Sequence, residues 1–345
     1  MQAYSSAHFV LPLPDGHRFP MQRYRLLHEC VQAQLPAIRI LEPPAASDGE
    51  LALAHTPDYV RRVVEGRLDA LQQREIGFPW SPQMVERSRR SVGATIAAAR
   101  AALAEGVAAN LAGGTHHAFA DRGSGYCVFN DAAVAARLMQ AEWLRTHRDP
   151  LHVAIVDLDV HQGNGSAAIF RGDPTVFTLS MHAERNFPFR KEASDLDVAL
   201  PDGCGDAQYL DALDRALEAL WRRTAGATPR LVFYLAGADP HEGDRLGRLK
   251  LSAAGLAERD RRVLRAACER GIGVALSMAG GYGRDIADTI AVQRTTLGLA
   301  LESWHERRRA PPRAGPCPSR PPAGAQDNLG RPGAFSRGTT NNAAA

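Results

Sequence analysis

The chain has 345 residues, 45% hydrophobic, 23% charged and 6% aromatic, which supports a packed globular core and excludes a fibrous or wholly disordered protein. The formal charge of +3 misleads, because from Glu306 onward seven Arg face one Glu and one Asp, leaving 34 basic against 36 acidic side chains in the preceding 305 residues. A slightly acidic body excludes a broad nucleic-acid surface, and no apolar run approaches the ~20 residues that cross a bilayer.

At the N-terminus, MQAYSSAHFVLPLPDG lacks a basic segment followed by a long apolar stretch, so no secretory signal is read there. The five cysteines (Cys30, Cys127, Cys204, Cys268 and Cys317) form no CxxC pair. That spacing fits reduced, buried thiols in a cytoplasmic protein, and neither a disulfide framework nor a cysteine zinc site. The first clear helix spans Ser81 to Gly106. Ser81 is its N-cap, Pro82 its first helical residue, and Val85, Val92 and Ile96 recur at helical spacing.

Next comes LAGGTHHAFADRGSGYCVFND. Paired glycines imply a tight turn before His116 and His117, two adjacent imidazoles suited to general base and general acid work beside a metal. Cys127 in this stretch reads as a packing thiol. The amphipathic segment DAAVAARLMQAEWLRTH is a second helix.

LHVAIVDLDV follows as an apolar strand, and VDLDVHQGNG closes it with an unusual density of polar groups. In extended backbone Asp157, Asp159 and His161 point one way, while Val156, Leu158 and Val160 point the other. Burying ionisable groups is costly without compensation, and a divalent cation between carboxylates and an imidazole supplies it. Asp157 and Asn164 are then free to fix the tautomers of the paired histidines.

Three more strands, TVFTLSMH, LVFYLAGAD and IGVALSMAGG, are apolar nearly throughout, as in a parallel sheet covered on both faces. The helices DAQYLDALDRALEALWRRT and SAAGLAERDRRVLRAACERG fall among them. Asp239 ends the third of the four strands and is the natural partner of Asp159 and His161; His241, Glu242 and Asp244 read as loop residues. Two carboxylates and one imidazole leave a coordination position open, as a catalytic metal requires. After the last strand, Gly280 and Gly281 free the backbone and Tyr282 emerges where its hydroxyl could face a developing oxyanion. Every polar cluster stands at the carboxyl end of a strand, where open parallel sheets bind ligands. The fold class is therefore α/β, one domain over residues 1–305, followed by a Pro-, Ala- and Arg-rich disordered tail over 306–345.

The motifs GGTHHA, DLDVHQGNG, GAD…GDRLG and AGGYG, in this order, resemble the zinc-dependent histone deacetylase superfamily, from LPLPDGHRFPMQRY to about Trp304. Its bacterial and class IV members are the most similar, since the ligand motif reads HQGNG and not HHGDG. The resemblance implies an arginase/deacetylase-type three-layer fold with a mostly parallel sheet of about eight strands. It implies Zn²⁺ or Fe²⁺ at Asp159, His161 and Asp239, a tandem catalytic pair at His116 and His117 backed by Asp157 and Asn164, and a transition-state tyrosine at Tyr282. It also implies a structural K⁺ near Asp157, Asp159, His161, Ser180 and Met181. Gly125 and Tyr126 match one wall of an acyl-lysine channel, with Phe187 or Phe189 opposite. The activity implied is hydrolysis of an N-acyl amine, one histidine of the pair serving as both base and acid. Acetyl-lysine proteins, acetylpolyamines and small acetylated metabolites all carry the scissile bond.

Two rivals are weighed against this reading. A binuclear manganese ureohydrolase of the same fold needs bridging carboxylates, but Gly163 and His241 stand where it would carry Asp. A non-catalytic acyl-amine binding protein is disfavoured by the intact ligands, histidine pair and tyrosine.

Overall fold

The computed structural model describes residues 1–309. The tail expected over 306–345 lies outside the described residues from position 310, and the last helix runs Ile286–Arg309. Eight strands form one sheet: β1 (Gln2–Tyr4), β2 (Arg39–Leu41), β3 (Val107–Asn110), β4 (Val153–Asp157), β5 (Val176–Ala183), β6 (Leu196–Leu200), β7 (Leu231–Leu235) and β8 (Gly273–Ser277). Their order is β2-β1-β3-β8-β7-β4-β5-β6, and all neighbours pair in parallel. The sheet is wholly parallel, as the apolar runs suggest, and has the eight strands that the resemblance implies.

The strands alternate between two cores. Ala154 and Val156 of β4 pack into one apolar cluster with Val232, Tyr234, Val274 and Leu276; Val153 and Ile155 join the other with Phe233 and Ala275. This two-sided burial explains why the central strands are apolar without alternation. The helix Pro82–Glu105 begins where expected: the Ser81 side chain accepts from the Met84 N–H, and Pro82 stands in the first turn. It ends at Gly106 (φ 94), directly before β3. No helix among the described residues is long and apolar enough to cross a membrane.

Register is what positions the site. Asn110 pairs with Ser277, Ser277 with Leu235, Leu235 with Asp157, and Asp157 with Ser180. The carboxyl ends of four adjacent strands, β3, β8, β7 and β4, thus lie in one row, while β5 runs on past Ser180 to Ala183. The loops that follow β3, β8, β7 and β4 leave the sheet side by side, as ligand-binding loops of parallel sheets do.

Candidate active site

Asp159, His161 and Asp239 bring ligand atoms within 4.8 Å of one another. They do so differently from the in-phase strand expected. β4 ends at Asp157, so Asp159 and His161 lie on the loop beyond it; Asp239 and Tyr282 likewise stand beyond β7 and β8. Side-chain hydrogen bonds to the backbone replace the strand ladder. The Asp159 N–H donates to Asp157 Oδ1 (3.2 Å), the His161 N–H to Asp159 Oδ1 (2.9 Å), and the Val160 N–H to Asp239 Oδ1 (2.9 Å).

The donor set fits a cation on two observations. Asp239 is fully buried, yet its Oδ2 has no hydrogen-bond partner; His161 Nδ1 stands 3.4 Å away at ion-pair distance only. A buried carboxylate oxygen left without a donor is costly unless something positive meets it. Gly280 forms the other side of the cradle, since a Cβ there would lie 1.9 Å from Asp239 Oδ2 and 2.5 Å from Asp159 Oδ2. The Gly280 N–H instead donates to Asp159 Oδ2 at 2.8 Å. Burial, then the Asp159 carboxylate, push the Asp239 pKa up, while hydrogen bonds to the two carboxylates outweigh burial and raise that of His161. Hard oxygen ligands with one imidazole suit zinc or iron(II). His241, read as a loop residue, lies outside this group.

The rings of His116 and His117 lie tilted at 48° with centroids 4.1 Å apart, and they have different partners. His116 Nδ1 lies 2.5 Å from Asp157 Oδ2; His117 Nδ1 lies 2.7 Å from Asn164 Oδ1. Burial opposes charge on both rings. For His116, Asp157 and Asp159 outweigh it and raise the pKa to about 9; for His117, burial and the neighbouring His116 cation drive the pKa well below its ordinary value. The turn before them uses Gly113 (φ 79) and Gly114 (φ 69), both left-handed. Tyr282 lines the same cavity of about 770 Å³ as both histidines and all three candidate ligands, and burial raises its phenol pKa far above the usual range.

The expected channel residues also border this cavity. Gly125 (φ 53) is pressed against His117, whose Cδ2 a Cβ would meet at 2.6 Å. Tyr126 packs 6.2 Å from the Tyr282 ring. Phe187 stands edge-on to His117 at 4.9 Å, whereas Phe189 is 89% exposed, so Phe187 faces the reacting groups directly. Cys127 is buried and burial raises its pKa, as a packing thiol requires. Ser180 and Met181 are buried on β5, with Ser180 in register with Asp157.

Four supporting residues escaped the sequence reading. Asp131 accepts from the Gly114 and Thr115 N–H groups (3.0 and 2.8 Å) and so holds the histidine turn. Asp244, read as a loop residue, is buried and accepts from the Tyr282 N–H at 2.6 Å. Arg23 donates to the carbonyls of Gly281 (2.7 Å) and Ala279 (3.1 Å), fixing the same loop from the far end of the chain. Arg259, fully buried beside Asp260, donates to the carbonyls of Gly237 (2.7 Å) and Leu158 (3.3 Å), which precede Asp239 and Asp159. Their types are ordinary for helices and loops, so only paired positions in a fold could have revealed them. Arg259→Met should cost about 3–5 kcal/mol in denaturant unfolding, since it leaves Asp260 charged and buried beside unpaired carbonyls; a loss under 1 kcal/mol would contradict that clamp.

Fold and donor set together define a class: a parallel α/β protein with a candidate mononuclear metal centre at the carboxyl edge of its sheet. Residues 17–297 match the histone deacetylase domain, and the chain belongs to that family. It is 46% identical over 284 residues to an uncharacterized protein of Picosynechococcus sp., covering 82% of this chain and 92% of that one. Histone deacetylase 2 of Arabidopsis thaliana is 36% identical over 269 residues, 73% of this chain and 65% of its own length. The structure of an HDAC homolog complexed with SAHA superposes with a TM-score of 0.71 at 25% identity, covering 87% of this chain and 83% of that one. Family membership makes the protein a deacetylase-type hydrolase.

Proposed function

We propose that this site hydrolyses the amide of an N-acyl amine of the acyl-lysine type. The observation that carries the reading is the meeting of three candidate ligands, two differently partnered histidines and one phenol on a single cavity. A zinc or iron(II) ion bound by Asp159, His161 and Asp239 would supply Lewis acidity at the carbonyl and acidify water.

The chain's own residues do the rest. Asn164 Oδ1 accepts the Nδ1–H of His117, which leaves Nε2 unprotonated toward the cavity and able to take the proton of an attacking water. The same Nε2 then gives that proton to the leaving amine. His116, bonded to the Asp157 carboxylate, keeps its proton and contributes positive charge beside the reaction. The Tyr282 hydroxyl donates to the tetrahedral oxyanion. Gly125, Tyr126, Phe187 and Phe189 guide the acyl-amine stem, and Asp157, Asp159, His161, Ser180 and Met181 serve a structural K⁺ as the family resemblance implies. The HQGNG motif supports a place near the class IV branch, and the free thiols of Cys30, Cys127, Cys204 and Cys268 support a cytoplasmic location.

Tyr282→Phe removes the oxyanion donor and nothing else, so kcat on an acetyl-lysine peptide should fall ~100- to 1,000-fold while metal content stays constant. Unchanged turnover would remove Tyr282 from the mechanism. A rival binuclear site finds no support at Gly163, where a Cβ would already lie 2.3 Å from Asp157 Oδ2.

A further inference from the structure

The mouth of the cavity carries a charge pattern that the reaction does not need. Arg18, Arg74 and Arg190 line it, each is exposed, and none has an acidic or hydrogen-bond partner among the described residues. They come from three separate segments: the loop before Phe19, the helix Ala70–Ile76, and the loop after Phe187. Two glutamates share the lining. Glu192 is already paired with Arg171, which leaves Glu75 as the opposing charge. Arg122 also lines the cavity but is paired with Asp121 at 3.0 Å.

A solvated arginine is ordinary, but here the first 305 residues hold slightly more acidic than basic groups. Three unpaired cations at one opening run against that background. Elsewhere on the surface some arginines are paired, as Arg25, Arg61, Arg100 and Arg215 are, and others, such as Arg39, Arg145 and Arg222, are not; what distinguishes the mouth is that three from separate segments converge on one opening. Unpaired charges of one sign around a low-dielectric cleft focus the potential there, and raise the local concentration of the opposite charge. Inside, the carboxylates of Asp159 and Asp239 face the ligand position for a divalent cation, so the net attraction for an anion resides at the mouth.

We infer that the preferred substrate is an acylated amine carrying carboxylates beside the scissile amide, an acidic one, and that acylated polyamines are disfavoured. The inference rests on the acyl-amide reading above and sets the substrate class of the same site. An acidic peptide flanking an acyl-lysine and a small acylated amino acid share this chemistry, and probe length separates them.

Binding is measured on the metal-loaded full chain with Tyr282→Phe, so that affinity is read without turnover. The probes are fluorescent acetyl-lysine peptides flanked by three Asp, three Ser or three Lys, with N-acetylputrescine and N-acetyl-β-alanine as small competitors. The Asp probe should bind about tenfold more tightly than the Lys probe at low salt. The gap should shrink several-fold in 0.5 M NaCl, where the screening length falls to a few ångströms. In the triple variant R18E/R74E/R190E the order should reverse. N-acetyl-β-alanine competing as well as the Asp peptide assigns the preference to small anionic amides, and peptide-only binding assigns it to acidic proteins; either supports the inference. Equal binding of the three peptides, a salt-independent difference, or no binding of any acidic probe overturns it. Turnover of the Ser peptide by the unaltered enzyme tests the hydrolase reading separately.

Discussion

Asp239→Asn is expected to abolish metal retention and activity while making the chelated protein more stable. The substitution keeps the oxygen that accepts from the Val160 N–H at 2.9 Å and removes a second buried negative charge beside Asp159. Loss of one anionic ligand should lower metal affinity by well over ~100-fold, the upper end of what losing a mere outer-sphere partner costs. Without a cation, burial and then Asp159 raise the Asp239 pKa, so the ionised carboxylate destabilises the folded state. An acid whose folded pKa is raised costs nothing below the unfolded carboxyl value of about 4, and its full penalty is reached only above the folded value. The gain from Asn should accordingly vanish near pH 4 and reach about 1–2 kcal/mol at neutral or higher pH, a rise of ~2–4 °C per kcal/mol in a chain of this size. Thermal unfolding in EDTA across pH, with metal analysis of the untreated protein, reads both effects. Stoichiometric metal in the variant would show that Asp239 is no ligand.

His117→Ala should lower kcat by about 10³- to 10⁴-fold, and His116→Ala by clearly less. Their chemistry differs because their partners do: an anion holds the proton on His116, and a neutral amide leaves His117 as a free base. Since burial keeps the His117 pKa well below its ordinary value, kcat of the unaltered enzyme should stay flat as pH falls through 6, with no titration at the usual histidine position. A base with raised pKa would lose activity already above pH 7. Single-turnover rates for both alanine variants on one acetyl-lysine peptide decide the matter. If His116→Ala proves the slower enzyme, the two roles exchange.

Legibility in the sequence followed the range of the interaction. The long helix was readable because Ser81, Pro82 and Gly106 mark its ends and its apolar spacing is local. The central strands β4, β5, β7 and β8 stood out as apolar runs between turn residues. β3 did not, because VAAN is short and alanine-rich and alanine has no preference for extended backbone. The three-residue strands β1 and β2 carry too few side chains for any period to register, and LDVAL of β6 lies at the sheet edge with its Asp exposed. The Asp157, Asp159 and His161 cluster was found for a reason the structure corrects, since the strand stops before two of its three members.

What the sequence determined alone was the inventory of chemistry: carboxylates, imidazoles and a phenol, most of them placed just after an apolar run that reads as a strand, with the His116–His117 pair the exception because VAAN of β3 does not register as one. Side-chain type and short-range spacing are written in neighbouring residues, so they survive without coordinates. The tertiary structure decided which of these groups meet. Only the parallel register, with Asn110, Ser277, Leu235 and Asp157 in one row, sets four loops side by side. Only packing brings Arg23 to the carbonyl of Gly281 across 258 positions of chain, and Arg259 to that of Leu158 across 101. The mouth's unpaired arginines belong to the same category, because whether a charge finds a partner depends on chain segments that no local pattern relates.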